Sequence, residues 1–284
     1  MAPVSSGTMK LQGKDRRMAV SSVLPPPELM KIVGSPSAES YVAVGRNLAA
    51  ILKRHAGLGR NDRVLDVGCG CGRLALPLTE QLTDGSYEGF DVIPELVEWC
   101  RSNISPRHPH FRFQLADVAN AFYQERAAKP ASLYRFPYDD DTFDVTVLAS
   151  VFTHMLEKDM MNYLGEVART LRPGGTAVMS FFLRNDESEA MKEVTGREFR
   201  WRRYGLSGIR VLDRKHPEGG VSYPERTVRA ALRSKGLQLQ QILFGSWCGR
   251  LRAASGQDIV VARKPPARGS VQPGPGAPPG GPCS

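Results

Sequence analysis

The chain has 284 residues, 41% apolar and 24% charged, which supports one sizeable core and a prior of one or two domains. It has no apolar run of the ~18 residues a membrane-spanning helix needs, and five cysteines (Cys69, Cys71, Cys100, Cys248, Cys283) are too few and too unevenly paired for a disulfide scaffold. The formal charge of +9 raises nucleic acid as a partner, but Lys10, Lys14, Arg16, Arg17 and Arg268 place much of it at the two ends.

Residues 1–23 lack the apolar stretch of a secretory signal and read as a flexible leader, and the reduced thiols fit a cytoplasmic protein. Ordered structure is expected over 24–264. Its first part, from Leu24 through Gly45, reads as a segment folding over a pocket. Tyr41 and Arg46 there either reach a ligand or serve core and surface.

Strands are expected at 63–67, 87–91, 111–115, 144–149 and 176–182, with helices at 73–81, 94–103 and 157–171 between them. Pro94 suits the first turn of its helix, where no N–H is needed. This alternation predicts a doubly wound α/β fold with a mostly parallel sheet covered by helices on both faces. Residues 185–223 break the alternation and read as a substrate lid. A helix at 225–235 and strands at 239–244 and 258–262 follow, the last two as an antiparallel hairpin at the sheet edge. The tail, 265–284, has seven prolines and five glycines and reads as disordered.

The strongest local signal is Val64 to Leu78, VLDVGCGCGRLALPL, in which a buried strand runs into Gly68, Gly70 and Gly72. Glycines are needed where a chain turns sharply and backbone approaches a ligand. Asp91 ends the next strand about twenty residues on, where a carboxylate accepts from ribose hydroxyls. The spacing is GxGxG and not the GxGxxG that seats a pyrophosphate, which disfavours a nicotinamide or flavin enzyme.

Asp66-x-Gly68-x-Gly70-x-Gly72, Asp91, Asp117-Val118, the block from Phe136 to Asp144 and Leu171-Arg172-Pro173-Gly174-Gly175 together resemble the motifs of class I S-adenosylmethionine-dependent methyltransferases. The chain is similar to bacterial members that tailor secondary metabolites or glycolipids. The resemblance implies a Rossmann-like seven-stranded sheet, three layers deep, with an antiparallel edge strand. It also implies S-adenosyl-L-methionine as cofactor. The glycine turn would carry the methionine part, with Asp66 ordering the turn or meeting the amino group. Asp91 would hold the ribose, Asp117 and Val118 the adenine, and Phe90, Val92 and Ile93 would line the adenine pocket. Arg73 either meets the methionine carboxylate or is an exposed helix residue.

Ligands of open α/β sheets meet the carboxyl ends of the strands, which places Ser150, Phe152, Thr153 and His154 near the reacting methyl. His154 is read as a catalytic base, with helix capping or pocket closure as its alternative. Ser150 is assigned to the cofactor, and Phe152, Thr153, His216, Tyr223 and Trp247 to the substrate; Trp247 stacks on substrate or fills core. No cysteine–histidine–carboxylate set has metal spacing. The Asn/Asp-Pro-Pro-Tyr of amino-adenine methyltransferases is absent after strand four, so a small-molecule acceptor is preferred to nucleic acid, and oxygen is preferred to nitrogen because His154 is present. Arg197, Arg200, Arg202 and Arg203 form a basic patch, read as a solvated or packing surface or as a site of nucleic-acid or nucleotide recognition. The alternatives are a protein or peptide acceptor, or a non-catalytic partner of another methyltransferase. A homodimer is the default assembly.

Overall fold

The computed structural model describes residues 23–119, 129–195, 200–206 and 208–267. The expected leader (but for Val23), most of the tail, Arg197 and Cys283 lie outside them.

Two helices come first, α1 (Pro27–Ile32) and α2 (Ala38–Ile51). The Ser37 side chain starts α2 by accepting the Ser40 N–H at 3.2 Å. The central sheet follows: β1 (Arg63–Val67), β2 (Ser86–Asp91), β3 (Phe111–Leu115), β4 (Phe143–Leu148), β5 (Leu171–Phe181), β6 (Gln238–Leu243) and β7 (Asp258–Arg263). Between them run α3 (Ala75–Leu78), α4 (Pro94–Asn103), α5 (Glu157–Thr170), α6 (Asp186–Thr195) and α7 (Glu225–Ser234).

The strand order is β6-β7-β5-β4-β1-β2-β3. All neighbours are parallel except at β7, which runs against both β6 and β5. The expected hairpin is present, and its reversed strand lies one place in from the edge. One apolar core covers each face of the sheet. In α5, Met160, Tyr163, Leu164 and Val167 fall at helical spacing and are buried in one of them.

Three local expectations change. The helix after the glycine turn is short, four residues instead of 73–81, and Pro77 inside it supplies no N–H to extend it. The strand expected at 176–182 begins at Leu171 and continues through 172–175 with a register irregularity, so Pro173-Gly174-Gly175 is a distorted stretch of strand. Part of 185–223 forms, with Leu183–Arg184, a four-stranded sheet of its own, joined by Arg202–Arg203, Arg210–Val211 and Val221–Pro224.

The acidic block before β4 is organised by one cation. Arg169 donates to both carboxylate oxygens of Glu166, to Asp140 at 2.8 Å, and to the carbonyls of Tyr138 at 2.7 Å and Phe136 at 3.0 Å. A planar five-donor fork is the group suited to so many acceptors.

Candidate active site

A cavity of about 770 Å³ opens at the carboxyl ends of β1, β2 and β4. Its floor is the glycine turn. Gly68, Gly70 and Gly72 have φ of 74°, 56° and 78°, the left-handed region that side chains resist. The N–H groups of Gly68 and Cys69 donate to the Phe90 carbonyl at 2.8 and 3.0 Å, pinning the turn to the end of β2. A Cβ on Gly68 would stand 2.7 Å from Val151 Cγ2, and one on Gly70 would stand 2.6 Å from Val33 Cγ1. Both glycines border the cavity. Gly72 does not: its missing side chain makes room for Ile104 and Cys100 beneath.

Two buried carboxylates flank the turn. Asp91 Oδ2 accepts the Gly70 N–H at 2.8 Å and Oδ1 accepts the Ile93 N–H at 3.0 Å. Burial raises its pKa, opposed by the Gly70, Ile93 and Val92 N–H groups. Asp66 Oδ2 accepts from the Tyr87 hydroxyl at 2.5 Å. Burial pushes Asp66 up to about 7; the Tyr87 bond opposes this, the Asp91 charge adds to it, and Arg73 opposes it. Phe90, Val92, Ile93 and Val118 also line the cavity. Asp117 is exposed and stands outside the wall formed by its neighbour Val118.

The segment before β1 closes the cavity from above, through Ile32, Val33, Gly34, Val44 and Asn47. Arg73, at the cavity, is tied to this cover: its Nη1 donates to the Val33 carbonyl at 2.6 Å and to Ser35 Oγ at 3.2 Å. Tyr41 is core and not a ligand contact, its hydroxyl donating to the Cys71 carbonyl at 2.7 Å, and Arg46 is exposed. Asn47 Nδ2 donates to the Ala254 carbonyl at 2.9 Å, linking α2 to the loop before β7.

The opposite wall carries Ser150, His154, Ser180 and Gln257. Ser150 has φ of 62°, and its N–H donates to Ser180 Oγ at 2.6 Å while its own Oγ donates to Gln257 Oε1 at 3.1 Å. His154 Nδ1 donates to the Glu218 carbonyl at 2.9 Å. A carbonyl can only accept, so Nδ1 bears the proton and the neutral ring carries its lone pair on Nε2. Burial lowers the His154 pKa, and the Glu218 carbonyl opposes the shift.

Five residues expected at the substrate lie elsewhere. Phe152 is fully buried and stacks on Phe181, centroids 4.8 Å apart, and Thr153 is fully buried beside it in the chain. Tyr223 is core, its hydroxyl donating to the Met155 carbonyl at 2.5 Å. Trp247 is buried and donates to Asp258 Oδ2 at 2.6 Å, which settles its two readings in favour of core. His216 is exposed, with Nδ1 3.1 Å from Asp213 Oδ2. None of the five borders the cavity, because strand alternation and the short helical turn at Phe152–His154 direct them into the layer below or into solvent. Of 185–223, the described residues are absent from the wall; Glu218 and Tyr223 brace it from behind.

Sequence reasoning missed Asn47, Ser180 and Gln257. Ser180 lay inside an expected strand, and nothing local marks Gln257; only the antiparallel pairing of Asp258 with Phe181 brings it to the site. Among the described residues no cluster of histidine, cysteine and carboxylate could hold a metal ion. No helix among them is long and apolar enough to cross a membrane.

A family described as methyltransferase domain matches residues 64–175, from β1 through the glycine turn and both carboxylates to the start of β5. The chain carries a methyltransferase domain. Its fold is the Rossmann-like one, a mostly parallel seven-stranded sheet covered on both faces. Over a longer span the chain is similar to 27-O-demethylrifamycin SV methyltransferase of Amycolatopsis mediterranei, 29% identical, covering 80% of this chain and 85% of that one. It is also 29% identical to demethylmenaquinone methyltransferase of Deinococcus radiodurans, over 42% of this chain and 43% of the other. The first curated relatives it matches are spanned for only 35% to 44% of their length. Among solved structures, the PH0226 protein of Pyrococcus horikoshii shares the fold with a TM-score of 0.57 at 15% identity, over 84% of this chain and 95% of that one.

Proposed function

We propose that the protein transfers a methyl group from S-adenosylmethionine to a hydroxyl of a small molecule, with His154 as the base. The cofactor fits what the chain offers: a turn open only where Cβ atoms are missing at Gly68 and Gly70, and a buried carboxylate, Asp91, beside it. Asp91 would meet the ribose hydroxyls, Phe90, Val92, Ile93 and Val118 the adenine, with Asp117 near its amino group, and Asp66, Gly68, Gly70 and Ser150 the methionine part. S-adenosylmethionine supplies a methyl carbon made electrophilic by its sulfonium, so the protein's task is to orient the acceptor, exclude water and remove one proton.

The observation that carries the reading is the His154–Glu218 hydrogen bond. It fixes the tautomer, so that the neutral imidazole has its basic nitrogen at Nε2, in a cavity wall, and burial favours the uncharged ring. A hydroxyl gains more from such a base than an amine already in its neutral form does. The name of the Amycolatopsis relative, 27-O-demethylrifamycin SV methyltransferase, supports an oxygen acceptor on a small molecule. The described cysteines, Cys69, Cys71, Cys100 and Cys248, are free and buried, which fits the cytoplasm as the site of action.

The test is incubation with methyl-labelled S-adenosylmethionine and a panel of hydroxylated small molecules headed by 27-O-demethylrifamycin SV. A labelled methyl ether supports the proposal. Label carried only on peptide or amine acceptors overturns the hydroxyl reading. Calorimetry with S-adenosylhomocysteine tests the cofactor site by itself: the unsubstituted protein should bind it, and Asp91→Ala should remove most of the affinity.

A further inference from the structure

We infer that Gln257 reads the acceptor: its side-chain amide donates a hydrogen bond to a carbonyl oxygen adjacent to the hydroxyl that is methylated. The inference rests on the proposed hydroxyl methylation and names the substrate class that this cavity selects, a β- or ortho-hydroxy carbonyl compound.

Gln257 borders the same cavity as His154 and Ser150. An amide can turn either its oxygen or its nitrogen toward a ligand, so its use as a reader depends on what fixes it. Here Ser150 does so. The Ser150 hydroxyl donates to Gln257 Oε1 at 3.1 Å, which occupies the oxygen and leaves the two Nε2 protons as the group on offer. Ser150 is itself held in an unusual place, its left-handed φ of 62° secured by the bond from its N–H to Ser180 Oγ. A non-glycine residue in that region marks a position the surroundings over-determine.

The backbone under Gln257 is equally constrained. Ser255 Oγ donates to the Gln257 carbonyl. Gly245 packs so closely that a Cβ there would stand 2.3 Å from the Gln257 carbonyl carbon. The next residue, Asp258, is fully buried and accepts from the Gly245 N–H at 2.7 Å, the Leu183 N–H at 2.7 Å and Trp247 Nε1 at 2.6 Å, with Arg250 Nη1 at 3.4 Å. These bonds join β7, the end of β5 and the loop after β6. A side chain mounted on such a base is suited to discriminate, because a rigid donor left without its acceptor costs binding energy.

The chemistry asks for two features in one ligand. His154 Nε2 would take the proton of the reacting hydroxyl as its oxygen bonds to the methyl carbon and the carbon–sulfur bond breaks, the electron pair leaving with the sulfur of S-adenosylhomocysteine, and the Gln257 amide would hold a second oxygen that keeps its lone pairs. A carbonyl meets the second requirement, since its oxygen accepts and has no proton to give.

Matched pairs of probes test this: 1-hydroxy-2-acetylnaphthalene against 1-hydroxy-2-ethylnaphthalene, and 2-hydroxyacetophenone against 2-ethylphenol. Binding of each is measured by calorimetry to the full chain saturated with S-adenosylhomocysteine. The unsubstituted protein should bind the carbonyl member at least about tenfold more tightly. Gln257→Glu, which keeps the shape and the acceptor for Ser150 but cannot donate when ionised, should abolish the preference, and so should Gln257→Leu. Affinity for S-adenosylhomocysteine should be retained in both. No preference in the unsubstituted protein, including no binding of either member, overturns the inference, as does a preference that survives in both variants. Failure to bind S-adenosylhomocysteine at all would instead overturn the reading of the cavity as a cofactor site.

Discussion

His154 Nδ1 donates to the carbonyl oxygen of Glu218 at 2.9 Å, so a residue at the end of β4 has its tautomer set by a segment 64 positions away. The ring stays neutral to lower pH than a free imidazole, because burial lowers its pKa. With a labelled acceptor in hand, His154→Ala should reduce turnover by about a hundredfold or more and leave S-adenosylhomocysteine affinity within error. The pH–rate profile of the unsubstituted protein should fall on the acid side with a midpoint below the usual histidine value of ~6.5. That limb should vanish in His154→Ala. A profile unchanged by the substitution would make His154 part of the wall and nothing more.

Asp66 is a second titrating group with an assigned direction. Its folded pKa, raised to about 7, exceeds the unfolded value of ~3.9. The protonated carboxyl therefore contributes stability that is complete below the unfolded pKa and is lost as pH rises through about 7. Asp66→Asn keeps an acceptor for the Tyr87 hydroxyl and removes the titration. Its thermal midpoint should change less between about pH 5 and pH 8 than that of the unsubstituted protein. Equal slopes in the two proteins would show that Asp66 is not the group responsible.

The two glycines on either side of Cys71 do different work, and alanine separates them. A Cβ on Gly72 would stand 2.5 Å from Ile104 Cδ1, inside the packing of α4. Gly72→Ala should cost stability of about 2–4 kcal/mol, from the left-handed backbone and overpacking together. Gly70→Ala points its methyl toward Val33, in the cavity's cover, and should weaken S-adenosylhomocysteine binding beyond any loss of stability. Chemical denaturation and calorimetry on both variants decide it, and the same pattern in both would sink the division of labour.

Arg169 holds the acidic block before β4 with a side chain that is only 14% exposed. Arg169→Ala strands the partly buried Glu166 carboxylate and should cost about 3 kcal/mol in urea denaturation. Arg169→Lys should recover only part of this, since a single ammonium cannot span Glu166, Asp140 and the carbonyls of Tyr138 and Phe136. Full recovery with lysine would mean that charge alone, without the fork, organises the block.

The sheet and the glycine turn were legible in the sequence because their causes are local. Val64 to Val67 is a continuous apolar run broken only by Asp66, and Gly68, Gly70 and Gly72 follow at once. Asp91 was legible for the same reason, as the last residue of the next strand. Phe152, Tyr223 and Trp247 were not. An aromatic residue near a strand end looks the same in sequence whether it faces a ligand or the core, and here all three pack inward. Gln257 was hidden for the opposite reason. Its role depends on Ser150, 107 residues earlier, and on the pairing of β7 with β5, neither of which leaves a local trace.

The place of β7 in the sheet bears on how the molecule is made. β7 follows β5 and β6 in the chain yet sits between them in the sheet, so both are synthesised before it. Until it arrives, β5 presents an unpaired edge and β6 has no neighbour in the sheet. The half that holds the glycine turn can therefore assemble while the ribosome is still working, and the wall bearing Gln257 closes only when residues 258–263 insert. An interrupted chain would display an open β5 edge ready to pair with another copy, and the final insertion removes that hazard.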